Sequence, residues 1–108
     1  MKYRLLGRTG VSVSRQCLGT MMFGAMGNRD HDDCVRIMHK AFDSGINFVD
    51  TADAYSGGEC EEIVGKALAG RREDVILATK VFHPMGADRN MRGNSRRWIT
   101  RALEDSLR

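Results

Sequence analysis

An α/β fold with a parallel sheet is the architecture this sequence predicts, and three observations carry the prediction. Two short apolar runs, Ile46–Asp50 and Val75–Lys80, are framed by segments with helical periodicity. Gly45 and Gly70 stand where a helix should stop just ahead of each run. Both faces of the runs are apolar, as expected where helices cover a parallel sheet. When strand–helix units repeat, chemistry gathers at the carboxyl ends of the strands. The closing residues of the two runs are Asp50 and Lys80.

Taken in order, Tyr3–Leu6 and Val11–Ser14 flank Gly7-Arg8-Thr9-Gly10 and predict a β-hairpin. Cys17–Thr20 reads as a short strand leading into a loop with Met21, Met22, Gly24 and Gly27. Asp30 suits the N-cap of a first helix, and Asp32 and Asp33 suit its positive end. Cys34, Ile37, Met38 and Ala41 then share one apolar face. After the strand Ile46–Asp50, a second helix is expected over Cys60–Ala69, with Glu59, Glu61 and Glu62 at its start. Its inward residues are Ile63, Val64, Ala67 and Leu68. Val75–Lys80 is the next strand, and His83–Asn94 a long polar loop. Asn94 or Ser95 caps a third helix with Ile99, Ala102, Leu103 and Leu107 facing inward. Alternation of this kind implies right-handed crossovers.

Composition fits one globular domain over residues 1–108, with 42% hydrophobic and 29% charged residues, too apolar for a disordered chain. Cys17, Cys34 and Cys60 are odd in number and far apart, which argues against a disulfide framework or metal site and favours a reducing, cytoplasmic compartment. No apolar stretch calls for a membrane. The net charge of +3 is uneven: residues 1–88 carry 11 Lys+Arg against 12 Asp+Glu, and residues 89–108 carry six arginines against two acids. Trp98 is the only ring in that basic stretch, so a solvated helix face is preferred over a nucleic-acid surface.

Side-chain alternation places Phe48 and Asp50 on one face with Ile76, Ala78 and Lys80, and Val49, Val75 and Leu77 on the other. Asp50 and Lys80 are therefore expected at equivalent top positions of adjacent strands, whose backbones run about 4.8 Å apart. Tyr55 follows in the loop beyond Asp50. A free phenol is a weak acid at neutral pH, and a neighbouring ammonium makes its proton easier to give up. Asp50 can hold Lys80 charged and oriented, and Lys80 can act on Tyr55. Such a donor suits carbonyl reduction, in which hydride must come from a cofactor. No G-x-G-x-x-G follows a strand, so a Rossmann site is not indicated. The same three residues also fit a structural ion pair beside an unrelated loop tyrosine, and spacing alone does not separate the two.

The stretch Gly45-Ile-Asn-Phe-Val-Asp-Thr-Ala-Asp-Ala-Tyr55, continued through Gly58-Glu59 and Glu62 to Gly65, resembles the aldo/keto reductase family. Leu18-Gly19-Thr20-Met21-Met22-Phe23-Gly24 and Ala78-Thr79-Lys80 fit that family in order and spacing. The resemblance implies the first part of a (β/α)8 barrel with an N-terminal hairpin closing its bottom, about three βα units present and the barrel not closed. It implies Asp50, Tyr55 and Lys80 as catalytic residues, with Tyr55 the general acid. NADPH is the implied cofactor, near Gly19, Thr20, Met21 and Asp50, and the substrate a small carbonyl compound. The family's catalytic histidine on a fourth strand has no counterpart here, and His83 reads as an ordinary loop residue.

A complete barrel needs about 250 residues, so the chain reads as truncated and inactive alone, with open sheet edges that favour self-association. Two further expectations stand beside the reductase reading. One is a cofactor-binding auxiliary module without turnover, as in channel subunits; the other is an inert gene remnant.

Overall fold

The computed structural model describes residues 1–108. Its first feature is the hairpin, β1 (Tyr3–Leu5) antiparallel to β2 (Ser12–Ser14), with Gly7 and Gly10 at positive φ in the connecting turn. A three-stranded parallel sheet follows in the order β3 (Leu18–Gly19), β4 (Phe48–Asp50) and β5 (Ile76–Ala78). Between and after these strands run α1 (His31–Asp43), α2 (Glu59–Leu68) and α3 (Arg96–Ser106). The architecture is that expected from the alternation, with a partial sheet that does not close into a barrel.

Local chemistry explains the helix ends. Asp30 accepts the Asp33 amide as N-cap of α1, and Ser95 accepts the Trp98 amide as N-cap of α3. Beyond α1, Gly45 adopts φ +95°, a conformation any side chain would strain. The apolar face of α1 buries Cys34 and Met38 fully and half-buries Ile37 and Ala41. It packs with Ile63, Val64, Ala67 and Leu68 of α2 against Val49 and Val75 on the outer face of the sheet. Phe48, Ile76 and Ala78 occupy the opposite face, half-buried.

The hairpin is fastened to the amino end of β4. Ser14 N donates to Asn47 Oδ1 at 2.7 Å, Asn47 Nδ2 to Ser12 O at 3.1 Å, and Tyr3 Oη to Gly45 O at 2.8 Å. It therefore lies at the end of the sheet opposite Asp50.

Two expectations need correction. The strands are shorter than their apolar runs, and the register pairs Asp50 with Ala78, not with Lys80. Lys80 lies two residues past the pairing level. Backbone bonds continue past the strands, from Thr51 N to Ala78 O at 2.9 Å and from Asp53 N to Lys80 O at 3.2 Å, and keep Lys80 beside the segment that follows β4. The second correction concerns α3. Its buried residues are Trp98 and Ala102, while Ile99, Leu103 and Leu107 are 41%, 52% and 71% exposed. The helix is turned so that the indole, its largest apolar group, reaches the cleft beside α2; the aliphatic stripe has no facing element.

Candidate active site

Asp50, Tyr55 and Lys80 converge at the carboxyl end of the sheet. Asp50 closes β4, Lys80 follows β5, and Tyr55 opens a tight turn, Tyr55–Gly58, between β4 and α2. Lys80 Nζ lies 2.7 Å from Asp50 Oδ2, 2.9 Å from Thr51 O and 3.2 Å from Tyr55 Oη. An ammonium has three protons and no acceptor. All three are engaged, so Tyr55 accepts from Lys80 and its own proton remains free to donate outward. Burial alone would lower the Lys80 pKa, but the hydrogen bonds it donates to Asp50 and Tyr55 outweigh that effect and hold the amine above its usual range. The ammonium stays charged throughout the neutral range.

The expected contact between Asp50 and Lys80 is present, although the register that delivers it differs. The Thr51 carbonyl is a partner that spacing could not show, because a backbone acceptor leaves no mark in side-chain identity. In the segment entering β3, partial desolvation and then the Asp50 charge push up the thiol of Cys17, whose surface is exposed, against the opposing effect of Lys80.

The loop Met21–Asn28 borders the site. Met21 is 47% exposed, and a Cβ built on Gly19 would meet no atom within 4 Å. Thr20 differs from both: it is fully buried, donates its hydroxyl to Asp50 O at 3.1 Å and accepts from Cys60 Sγ at 3.2 Å. Its side chain supports β4 from within. Cys60 has a single thiol proton, which Thr20 Oγ1 shares with Thr20 O at 3.1 Å from the sulfur, and its side chain is enclosed in the core.

Ser56 holds the turn. Its φ of +51° is left-handed, a conformation that costs a non-glycine residue about 1 kcal/mol. Its hydroxyl offsets that strain by donating to Phe23 O and accepting from Met26 N, both at 3.1 Å.

A separate cleft lies elsewhere. A cleft of about 1060 Å³ opens between α2 and α3, lined by Val64, Leu68, Leu77, Met85 and Trp98 among others, and reached by Asp53 but not by Asp50, Tyr55 or Lys80. Asp53 Oδ2 and Trp98 Nε1, both buried, have no protein partner there. Burial raises the Asp53 pKa, although a bond from the Ala54 amide opposes it. The three converging side chains at the sheet end bring a carboxylate, an ammonium and a half-buried phenol together, a combination that the lining of this cleft does not offer. No helix is long and apolar enough to cross a membrane.

The model of the aldo/keto reductase family matches residues 16–108. The chain belongs to that family. Among its relatives, an uncharacterised oxidoreductase of Bacillus subtilis, YrpG, is 47% identical across the whole chain, which covers 36% of that protein. A probable voltage-gated potassium channel subunit beta of rice (Oryza sativa subsp. japonica) is 38% identical across the whole chain, covering 33% of that protein. In three dimensions the chain is similar to the holo form of an aldo-keto reductase from Bacillus halodurans. That match has a TM-score of 0.87 and 41% identity, over 99% of this chain and 35% of that one. The chain spans about a third of the length of these relatives. The fold is that of aldo-keto reductase barrels, in the part that these residues represent.

Proposed function

We propose that this aldo/keto reductase reduces aldehyde or ketone carbonyls with NADPH, with Tyr55 as proton donor and Lys80 and Asp50 assisting. The observation that carries this reading is the full engagement of the Lys80 ammonium, which leaves the Tyr55 proton directed outward. As that proton passes to the carbonyl oxygen, negative charge develops on the phenol oxygen, and the ammonium 3.2 Å away stabilises it. Asp50, bonded at 2.7 Å, keeps the ammonium charged and aimed. When bound, NADPH supplies the hydride that adds to the carbonyl carbon.

Gly19, Met21 and Asp50 are the residues here that would border the cofactor. The open space above Gly19 and the exposed Met21 side chain fit a flat ring laid against the strand ends. Thr20 would act from beneath, through its bond to the Asp50 carbonyl. The Bacillus halodurans relative, solved in a holo form, supports a cofactor in this fold.

The test is Tyr55→Phe in a complete barrel that carries residues 1–108. Aldehyde reduction should fall about 100-fold or more while NADPH affinity, read by fluorescence titration, is kept. Undiminished turnover would refute the assignment. The similarity to the rice protein named as a channel subunit favours a second reading, an auxiliary module that holds cofactor without turnover. Tight NADPH binding with no reduction of any simple aldehyde would select it.

A further inference from the structure

The loop Met21–Asn28 and the turn that carries Tyr55 lie about 30 residues apart in sequence, yet side chains of one hold the backbone of the other. Ala25 N donates to Glu59 Oε2 at 3.0 Å, and Met26 N to Ser56 Oγ at 3.1 Å. Ser56 Oγ donates to Phe23 O, and Ser56 N reaches Met26 Sδ at 3.4 Å. The loop lies so close that a Cβ on Gly24 would meet Ser56 Oγ at 2.9 Å and Glu59 Oε2 at 3.0 Å.

Glu59 is itself braced. Lys66 Nζ lies 2.9 Å from His31 Nδ1, and an ammonium can only donate there, which leaves Nε2 to donate on the other side of the ring. Nε2 donates to Glu59 Oε1 at 2.6 Å. Each carboxylate oxygen therefore has one fixed partner. The His31 bond first, and then the Ala25 amide, hold the Glu59 carboxyl below its usual range.

We propose that Glu59 and Ser56 are positioning residues that fasten the loop Met21–Asn28 to the Tyr55 turn and thereby set the mouth through which cofactor and carbonyl reach Tyr55. This rests on the carbonyl-reductase reading above. Neither residue touches the reacting atoms; both act through Met21, Met22 and the placement of the turn.

The experiment uses a complete barrel carrying residues 1–108 and reads amide hydrogen exchange together with steady-state kinetics. Glu59→Ala should speed exchange at the Ala25 amide at least tenfold, and Ser56→Gly should do the same at Met26. Glu59→Gln has one acceptor oxygen for two donors, the Ala25 amide and His31 Nε2, so exchange at Ala25 should fall between that of the native chain and that of Glu59→Ala. With Glu59→Ala, KM for a simple aldehyde and Kd for NADPH should rise several-fold while kcat stays within about twofold. Unchanged exchange at Ala25 overturns the proposal. So does faster exchange with unmoved KM and Kd, and so does a fall confined to kcat. Exchange needs no turnover, so a chain that keeps its activity as Tyr55→Phe, which sinks the reductase assignment, leaves the clamp itself separately measurable.

Discussion

Residues 18–80 hold the three parallel strands with α1 and α2, and residues 81–108 hold the loop and helix that follow β5; the two regions pack their helices differently. In the first region α1 and α2 each press a complete apolar face against the sheet, and Cys34, Met38, Val49 and Ile63 are wholly enclosed. Its loops are held by named side chains, Ser56 and Glu59 on one and Asp30 on the other. In the second region α3 buries only Trp98 and Ala102, and its aliphatic stripe faces outward. The two buried polar atoms without partners, Asp53 Oδ2 and Trp98 Nε1, both lie on the cleft between the regions. A helix in a parallel α/β fold needs neighbours on either side as well as a strand beneath. α1 and α2 lie next to each other over the sheet, whereas α3 lies beyond β5, an edge of the sheet.

The contrast predicts unequal responses to substitution, best measured by urea unfolding of the chain. Met38→Ala should have the largest effect, a loss of about 3 kcal/mol, because it empties a fully enclosed site. A loss below about 1 kcal/mol would show that the α1–α2 core is loosely packed. At the seam, Asp53→Asn should raise stability at neutral pH. The folded-state pKa of Asp53 is raised by burial, so the native state binds its proton more tightly than the unfolded chain does. The penalty is therefore absent well below the ordinary value of 3.8 and grows as pH rises through the raised value. The advantage of asparagine should disappear in acid; an advantage independent of pH would remove burial of the charge as its cause. Smallest of all, Leu103→Ala should change stability by less than about 0.5 kcal/mol, since its side chain is half-exposed. A loss comparable to that of Met38→Ala would mean that α3 is packed as tightly as α1.

Much of the fold was legible because periodicity and punctuation agree. Gly45 and Asp30 mark helix ends that the backbone geometry repeats, and the alternation of Phe48, Val49 and Asp50 assigns the correct faces. The α3 face was legible only at Ala102. Ile99, Leu103 and Leu107 form as regular a stripe as that of α1, and periodicity cannot tell a stripe that has a partner from one that lacks it. At the site, Asp50, Tyr55 and Lys80 were visible as residue types at strand ends. The register was not, since backbone pairing beyond Ala78 leaves no signature in side-chain identity.

Residue type and spacing alone were enough to specify an α/β chain of strand–helix units with an acid, a phenol and an amine at one rim. They were also enough to indicate the family to which the chain belongs. Three-dimensional packing settled the rest: that Lys80 reaches back to Asp50, Thr51 O and Tyr55 together, that Ser56 and Glu59 grip a loop about 30 residues away, and that Trp98 rather than Ile99 is buried. The division has a simple cause. Local preference depends on neighbours along the chain, whereas a hydrogen bond across the fold or the burial of one face depends on which segments meet in space.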